Sequence, residues 1–375
     1  MGLLTGSLPD FPWDTLVPYA DRARMHPDGI VDLSVGTPVD PTPSLVREAL
    51  AAAADAPGYP TTQGTAELRA AVVAWFARRR GVAGLTPTAV LPTIGSKELV
   101  AWLPSVLGLG HGDVVVHPEA AYPTYDVGAR LAGASALPAD DVAAWSGRDD
   151  VRLVWVNSPS NPTGQVLGVD ELRGVVEAAR RIGAVVASDE CYALLAWDEP
   201  WASGGVPSIL DPRVCGGRHD GLLAVHSLSK QSNLAGYRAA FVAGDQDLVH
   251  RLLEVRKHAG MMVPGPVQAA MAVALADDAH VDAQRERYRR RRRVLVEAFE
   301  VAGLEIDASP AGLYLWVRAA GAGQDCWQTV ADLADLGILV APGSFYGPAG
   351  ARHVRVALTA SDETVVRAAA RLTGA

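Results

Sequence analysis

The sequence predicts an α/β protein, with a large domain built on a mostly parallel mixed sheet flanked by helices and a smaller α+β domain. Three observations carry that expectation. From about residue 89, short apolar runs alternate with helical stretches, the pattern of strand–helix–strand units. Several of the runs are apolar at consecutive positions, as strands covered on both faces must be. The chain has 375 residues, 49% of them hydrophobic and 20% charged, which suits a large domain plus a smaller one with a sizeable core. The organisation read from this pattern is an N-terminal arm and small-domain segment over 1–45, a large domain over 46–282 and a C-terminal small domain over 283–375.

Taken in order, the first forty-odd residues are rich in Pro and Asp and read as an extended arm and loop. PTPSLVREALAAAA starts a helix near Ser44, because a Pro-Ser start is followed by strong helix formers. ELRAAVVAWFARRRG (67–81) is a second helix, closed by basic residues and a glycine as helix C-termini prefer. Strands are expected at 89–92, 113–117, 151–156, 184–188, 222–226 and 239–244, with helices at 97–107 and 169–183 between them. Only about twelve residues separate the last two strands, too few for a helical crossover. One of that pair is therefore expected to run antiparallel. Residues 283–303 read as a long helix leaving the large domain, its arginine run a solvated face. GLYLWVR (312–318) and HVRVALT (353–359) read as strands of the smaller domain.

Charge and composition narrow the function classes. A formal net charge of −9 argues against a general binder of nucleic acid or of anionic membranes. No apolar run is long enough to span a bilayer. The N-terminus lacks the basic and apolar regions of a signal peptide. It begins Met-Gly, but Gly6 stands where a myristoylation signal wants Ser or Thr. A cytoplasmic protein is expected. Cys191, Cys215 and Cys326 are too scattered for a disulfide framework or a zinc site and read as small buried hydrophobes.

The chemical question is posed by HSLSKQSNLAGYR (226–238). Lys97, Lys230 and Lys257 are the only lysines, against thirty arginines, yet a lysine stands in this loop after an apolar run. Ser227 and Lys230 form an S-x-x-K spacing, as in serine β-lactamases, but the S-D-N and K-T-G partner motifs are missing. The alternative is an imine-forming amine. A desolvated lysine loses its proton readily and can bond a carbonyl carbon, whereas arginine stays protonated.

That chemistry suggests pyridoxal phosphate, which needs several other groups. TIGSKE (93–98) offers a phosphate cradle: a Gly turn at Gly95 after a strand, then Ser96 opening a helix whose free N–H groups favour an anion. Ser227 and Arg238 flank the lysine and can add a hydroxyl and a guanidinium. Asp189, ending AVVASDE, can hold a pyridine nitrogen protonated. Asn161 of NPTG and Tyr192 are candidate donors to a phenolic oxygen, and Tyr122 of AAYPTY is a candidate ring neighbour. Singly, each has a plainer reading: a strand-end carboxylate is usually a cap or ion-pair partner, NPTG a turn, Tyr122 core, and Lys97 a solvent-facing first-turn residue.

GSKE, AYPTY, NPTG, SDECY, SLSK and GYR, in that order, resemble the fold-type I pyridoxal phosphate enzymes, and specifically the class I/II aminotransferases, whose fold is aspartate-aminotransferase-like. The resemblance runs from SVGTP (34–38) to HVRVALT. It implies that 46–282 is the cofactor-binding domain and that Lys230 both bonds the cofactor and shuttles the proton. It also implies that Asp189 pairs with the pyridinium, that Asn161 and Tyr192 bond the phenolic oxygen, and that Tyr122 stacks on the ring. Ser96, Ser227 and Arg238 would hold the phosphate, with backbone N–H groups near Gly95 and Lys97. Arg355 would grip the substrate α-carboxylate, although alternation alone allows it to face solvent, and Gly36 would approach the substrate by its backbone. Tyr59 of GYPTTQG resembles the tyrosine that reaches a neighbouring subunit's phosphate, which implies a homodimer with shared sites acting on amino and keto acids.

The opening LPDFPWDTLVPYADRARMHPDGIVDLSVGTPVDPTP further resembles actinobacterial N-succinyldiaminopimelate aminotransferases, which use glutamate as amino donor and serve lysine and peptidoglycan precursor synthesis. Such substrates are acidic at the far end, so a second cation is expected, with Arg22, Arg24 and Lys257 as candidates. SFYG (344–347) and MMVPGP (261–266) are expected at the substrate entrance. Aminotransferases of aspartate, aromatic or kynurenine type, and a β-lyase, share the fold and stay open. A transcriptional regulator would need an added DNA-binding module. A nicotinamide enzyme would need a Gly-rich strand-to-helix turn, but GLGHGD (108–113) follows a helix instead. The acidic pairs Asp140-Asp141 and Asp149-Asp150 read as solvated loops.

Overall fold

The computed structural model describes residues 8, 9, 11–321 and 323–374; the Met-Gly start and Gly6 lie outside them. Its strands are β1 (Val31–Asp32), β2 (Val90–Ile94), β3 (Val114–His117), β4 (Ser135–Pro138), β5 (Val151–Asn157), β6 (Val185–Asp189), β7 (Leu222–Ser227) and β8 (Ala239–Gly244). Toward the C-terminus follow β9 (Leu304–Asp307), β10 (Tyr314–Ala319), β11 (Ile338–Leu339), β12 (Ala341–Pro342) and β13 (His353–Ala357).

A seven-stranded sheet in the order β2-β8-β7-β6-β5-β3-β4 forms the centre of the large domain. The β4-β3-β5-β6-β7 part is parallel, and β8 runs antiparallel to both β7 and β2. The short loop between β7 and β8 leaves room only for that reversal. Helices cover both faces. Along β7, Leu223 and Val225 pack with Leu99 and Leu103 on one side, while Leu222 and Ala224 pack with Val72 and Phe76 on the other. Alternate side chains leave a strand on opposite faces, so a strand buried twice reads as an unbroken apolar run.

The smaller sheet, β12-β13-β10-β9, is antiparallel. Parallel pairing of β1 with β11 forms a separate two-stranded sheet that ties the N-terminal segment to the smaller domain. Leu16, Val31 and Leu33 share a core with Leu315 and Val354.

Several expectations need correction. The arm is not extended throughout: a 3-10 turn at Pro12–Leu16 leads into a helix at Val17–Arg24. Leu16, Ala20 and Ala23 are its buried positions, one narrow apolar stripe among polar residues, which leaves a faint periodic signal. The arginine run is not wholly solvated. Arg291 is 3% exposed and is held by Asp40, at 2.6 and 2.7 Å, and by Asp362, at 2.5 Å. It thereby joins the helix Ala279–Val301 to the entering loop and to the last helix, Asp362–Thr373. Strands β4 and β9 lack an apolar run because each sits at a sheet edge, partly exposed.

Candidate active site

The parallel strands end at one crevice, the usual ligand position in such sheets. Asn157 and Asp189, the last residues of β5 and β6, are register partners. Ser227 ends β7 and caps the short helix Leu228–Gln231 that carries Lys230. Ile94 ends β2 and passes through Gly95, at φ 74°, into the helix Ser96–Val106. Chain reversals at four strand ends thus deliver polar side chains to one place.

Gly36, Ser96, Lys97, Tyr122, Asn161, Asp189, Tyr192, Ser227, Lys230, Arg238 and Arg355 all border a single cavity of about 500 Å³. Gly95 stands behind Arg238: a Cβ there would collide with the guanidinium. The backbone of Arg238 is itself left-handed, at φ 55° and ψ 43°, a conformation that costs a non-glycine residue about 1–3 kcal/mol. The Gly95 N–H donates to the Arg238 carbonyl across 2.8 Å, which helps hold that shape. Ser96 and Arg238 therefore meet at an uncapped helix start, a ready anion site. Glu98, one turn on, is neutralised by the buried Arg256 through two bonds of 2.8 and 2.9 Å, so its charge does not oppose an anion there.

Asp189 is buried. It accepts from the Tyr125 hydroxyl at 3.0 Å and from the Cys191 backbone N–H at 3.2 Å. Burial pushes its carboxyl above the ordinary value, while those donors pull the other way. Among the described residues no cation pairs with it. Its neighbour Glu190 is different: Arg80 reaches it at 2.8 Å, with Ser208 and the Ile209 N–H completing its set at 2.9 and 2.8 Å.

Lys230 is partly buried, and its amine donates to the Gly36 carbonyl. Burial lowers its pKa, the direction that frees the amine as a base or nucleophile. Arg355, 3% exposed, points inward. Nη1 donates to Asn161 Oδ1 at 3.0 Å and Nη2 to the Ser34 carbonyl at 2.7 Å. No carboxylate pairs with it among the described residues, and Nε is buried without an acceptor. Because the Asn161 carbonyl is occupied by Arg355, its amide N–H₂ remains as the donor. Tyr122 borders the cavity edge-on to Tyr125, their centroids 5.9 Å apart, and burial raises its hydroxyl to about 12.

The arrangement can bind an anion at a helix start, a cationic ring against Asp189 and a carboxylate on Arg355, beside an amine that burial has made easier to deprotonate. The family description "Aminotransferase class I and II" matches residues 28–372. The chain belongs to that family. As an aminotransferase of this family and fold it depends on pyridoxal phosphate. The residues fit that cofactor, since Asp189 lacks only a cationic partner and Gly95 admits the Arg238 guanidinium where any side chain would block it. The chain is 62% identical over 373 residues to a probable aminotransferase of Mycobacterium tuberculosis, covering 99% of this aminotransferase and 87% of that one. It is 59% identical to the 4-dedimethylamino-4-oxo-anhydrotetracycline transaminase OxyQ of Streptomyces rimosus, covering 98% and 99% of the two chains. A solved structure of a probable N-succinyldiaminopimelate aminotransferase from Thermus thermophilus superposes with a TM-score of 0.86 at 28% identity, covering 97% of this chain and 100% of that one.

Some expected positions of this aminotransferase lie elsewhere. Arg22, Arg24 and Lys257 are not in the cavity; they pair on the surface with Asp335, Asp21 and Glu254. Residues 261–266 do not border it either, and SFYG contributes indirectly, through Phe345 packed at 5.1 Å on Trp13 and through Tyr346, whose ring centroid is 4.9 Å from the Arg355 guanidinium carbon. Tyr59 is 96% exposed and outside its own chain's cavity. Conversely, Phe11, Trp13, Asn157, Cys191 and Tyr314 border the cavity, and Tyr125 and Arg80 stand behind it. Tyr125 had a weak signal, one helical turn after Tyr122. The others had none.

Proposed function

We propose that this cavity is the transamination centre, in which Lys230 bonds the cofactor and carries the substrate α-proton while Asp189 faces the pyridine nitrogen. Ser96, Ser227, Arg238 and the backbone N–H groups around Gly95 and Lys97 take the phosphate. Asn161 and Tyr192 take the phenolic oxygen, Tyr122 the ring face, and Arg355 the substrate α-carboxylate, with the Gly36 backbone beside it. The observation that carries the reading is that a lysine whose pKa burial lowers shares one cavity with a buried carboxylate that no cation pairs with among the described residues. When bound, pyridoxal phosphate supplies an electron sink for the bonds of the substrate α-carbon. The chain does the rest. Lys230 Nζ, once neutral, accepts the α-proton and returns it. Asp189, whose charged form is favoured by the Tyr125 hydroxyl and the Cys191 N–H against burial, would stabilise a positive charge brought next to it. Arg355 fixes the substrate carboxylate as a fork and so restricts how the α-carbon is presented.

Tyr59 projects from its own chain with nothing to pack on, which supports a homodimer in which it reaches the other subunit's phosphate site. For the amino acceptor, N-succinyl-LL-2,6-diaminopimelate chemistry with glutamate as donor is favoured by the Thermus thermophilus likeness and by Lys97. That lysine is a cavity cation beyond the helix start, 5.9 Å from the Phe11 ring centroid, suited to a distal carboxylate. A second reading is an aromatic ketone of the kind the Streptomyces rimosus relative is named for, favoured by the Phe11, Trp13 and Tyr122 walls. Glutamate added to the loaded protein should release 2-oxoglutarate; a panel containing the succinylated keto acid and aromatic ketones then ranks acceptors by kcat/KM. No 2-oxoglutarate would sink glutamate transamination. A ring ketone ranking first would sink the diaminopimelate reading alone.

A further inference from the structure

Tyr314 lies on β10, remote in sequence from every motif that marks the site, yet it touches three of the groups assigned above. Its ring face carries the Arg355 guanidinium, whose carbon is 3.9 Å from the ring centroid. Its hydroxyl is 3.2 Å from the Tyr192 hydroxyl, with the two rings edge to face at 5.7 Å. It presses on Gly36 so closely that a Cβ there would overlap the phenol oxygen, and the Gly36 carbonyl is the acceptor of the Lys230 amine. Tyr314 is buried at 4% exposure and borders the cavity.

We propose that Tyr314 is a positioning residue of the transamination centre, its ring holding Arg355 for the substrate carboxylate and its hydroxyl holding Tyr192 as a donor into the cavity. The inference rests on the assignment of Arg355 and Tyr192 given above. Its two halves have separate physical grounds. A guanidinium over an aromatic face gains electrostatic energy, more so when both are out of water. Among the described residues Arg355 has two hydrogen-bond partners, a side-chain amide oxygen and a backbone carbonyl; its remaining restraints are two aromatic faces, Tyr346 at 4.9 Å and, nearer, Tyr314 at 3.9 Å. On the other side, two hydroxyls can share one hydrogen bond only with one donor. If Tyr314 donates, the Tyr192 proton is left for a partner in the cavity, and the chained bonds strengthen one another. Burial alone would raise the Tyr314 hydroxyl, but the charges of Arg355 and Lys230 outweigh it and lower it. Burial and Tyr314 itself raise Tyr192. Both directions favour Tyr314 as the donor.

Two variants separate the halves. Tyr314→Leu removes the ring and should weaken binding of a dicarboxylic inhibitor, succinate, and raise the KM for glutamate, each by about tenfold, with a smaller change in kcat. Tyr314→Phe keeps the ring and should hold the succinate dissociation constant within about twofold. It should instead shift the pH titration of the bound cofactor's absorbance upward by about half a unit, the consequence of a weakened Tyr192 donor. Arg355→Ala serves as the reference. If Arg355→Ala weakens succinate and Tyr314→Leu does not, Tyr314 has no part in holding the arginine. If Arg355→Ala itself leaves succinate binding unmoved, the carboxylate assignment falls and this proposal with it. Should Tyr314→Leu not fold, the Tyr314→Phe titration decides: an unshifted absorbance curve overturns the proposal.

Discussion

Asp189 and Glu190 are consecutive, both buried, and opposite in fate. Glu190 turns away from the cavity into a set built for it: Arg80 at 2.8 Å, a serine and a backbone N–H. Asp189 turns toward the cavity and meets only a phenol and a backbone N–H. The same contrast divides the arginines. Arg291 and Arg256, deep in the fold, are each held by carboxylates, whereas Arg355, equally deep, has none among the described residues. A buried charge without a counter-charge is expensive, and a fold keeps one where a ligand completes it. In this molecule, paired buried charges locate architecture and unpaired ones locate chemistry.

The largest test of that division is Lys230→Ala. Transamination should fall by at least about 10⁴-fold, and borohydride should no longer fix the cofactor to the chain; near-normal turnover would remove Lys230 from the mechanism. Next, the two neighbours should dissociate. Glu190→Gln, which strands Arg80, should cost about 3–5 kcal/mol in urea unfolding. Asp189→Asn should leave the cofactor-free protein as stable or more so, while turnover drops about 10³-fold. Equal stability losses in both variants would erase the distinction.

His226 sharpens the comparison from a third side, as a buried group kept neutral. Burial lowers it from an ordinary 6.5 to about 4. Between those values the unfolded chain binds a proton that the folded chain refuses. Stability should therefore fall as pH drops from 6.5 to about 4, by about 3 kcal/mol in total, and level off below. His226→Asn should flatten that part of the urea-unfolding profile. Gln231 Oε1 stands 2.7 Å from His226 Nε2 and its amide nitrogen is left without a partner; a neutral His226 that donates from Nδ1 to the Glu190 carbonyl at 3.0 Å must accept at Nε2, so the amide is better assigned with its nitrogen turned to the ring. The smallest effect is expected at the cavity rim, where Lys97 is exposed to solvent. Lys97→Ala should raise the KM for acceptors carrying a distal carboxylate by about threefold and leave pyruvate unaffected; an equal change for both would remove the distal role.

Much of this was legible in the chain. The strands from β5 to β8 announce themselves because burial on both faces demands consecutive apolar residues, and the short β7–β8 loop dictates the reversal. Lys230 stands out because only an amine can do its chemistry. Edge strands β4 and β9 and the N-terminal helix were not legible, since partly exposed elements need few apolar positions. Arg22, Arg24 and Lys257 were plausible cations in sequence, yet each found a carboxylate within reach on the surface. Trp13 and Phe11 gave no signal, because a wall residue needs only bulk.

What the sequence by itself determined is what neighbours along the chain control: periodicity, turn chemistry, and residue types at strand ends, and through these the fold class and the family. Only the tertiary structure decided which buried charges find partners. Glu190 meets Arg80 across 110 positions, and Tyr314 reaches Tyr192 across 122. Coulomb and hydrogen-bond energies depend on distance in space, and no local pattern encodes a distance closed by the packing of segments far apart in the chain.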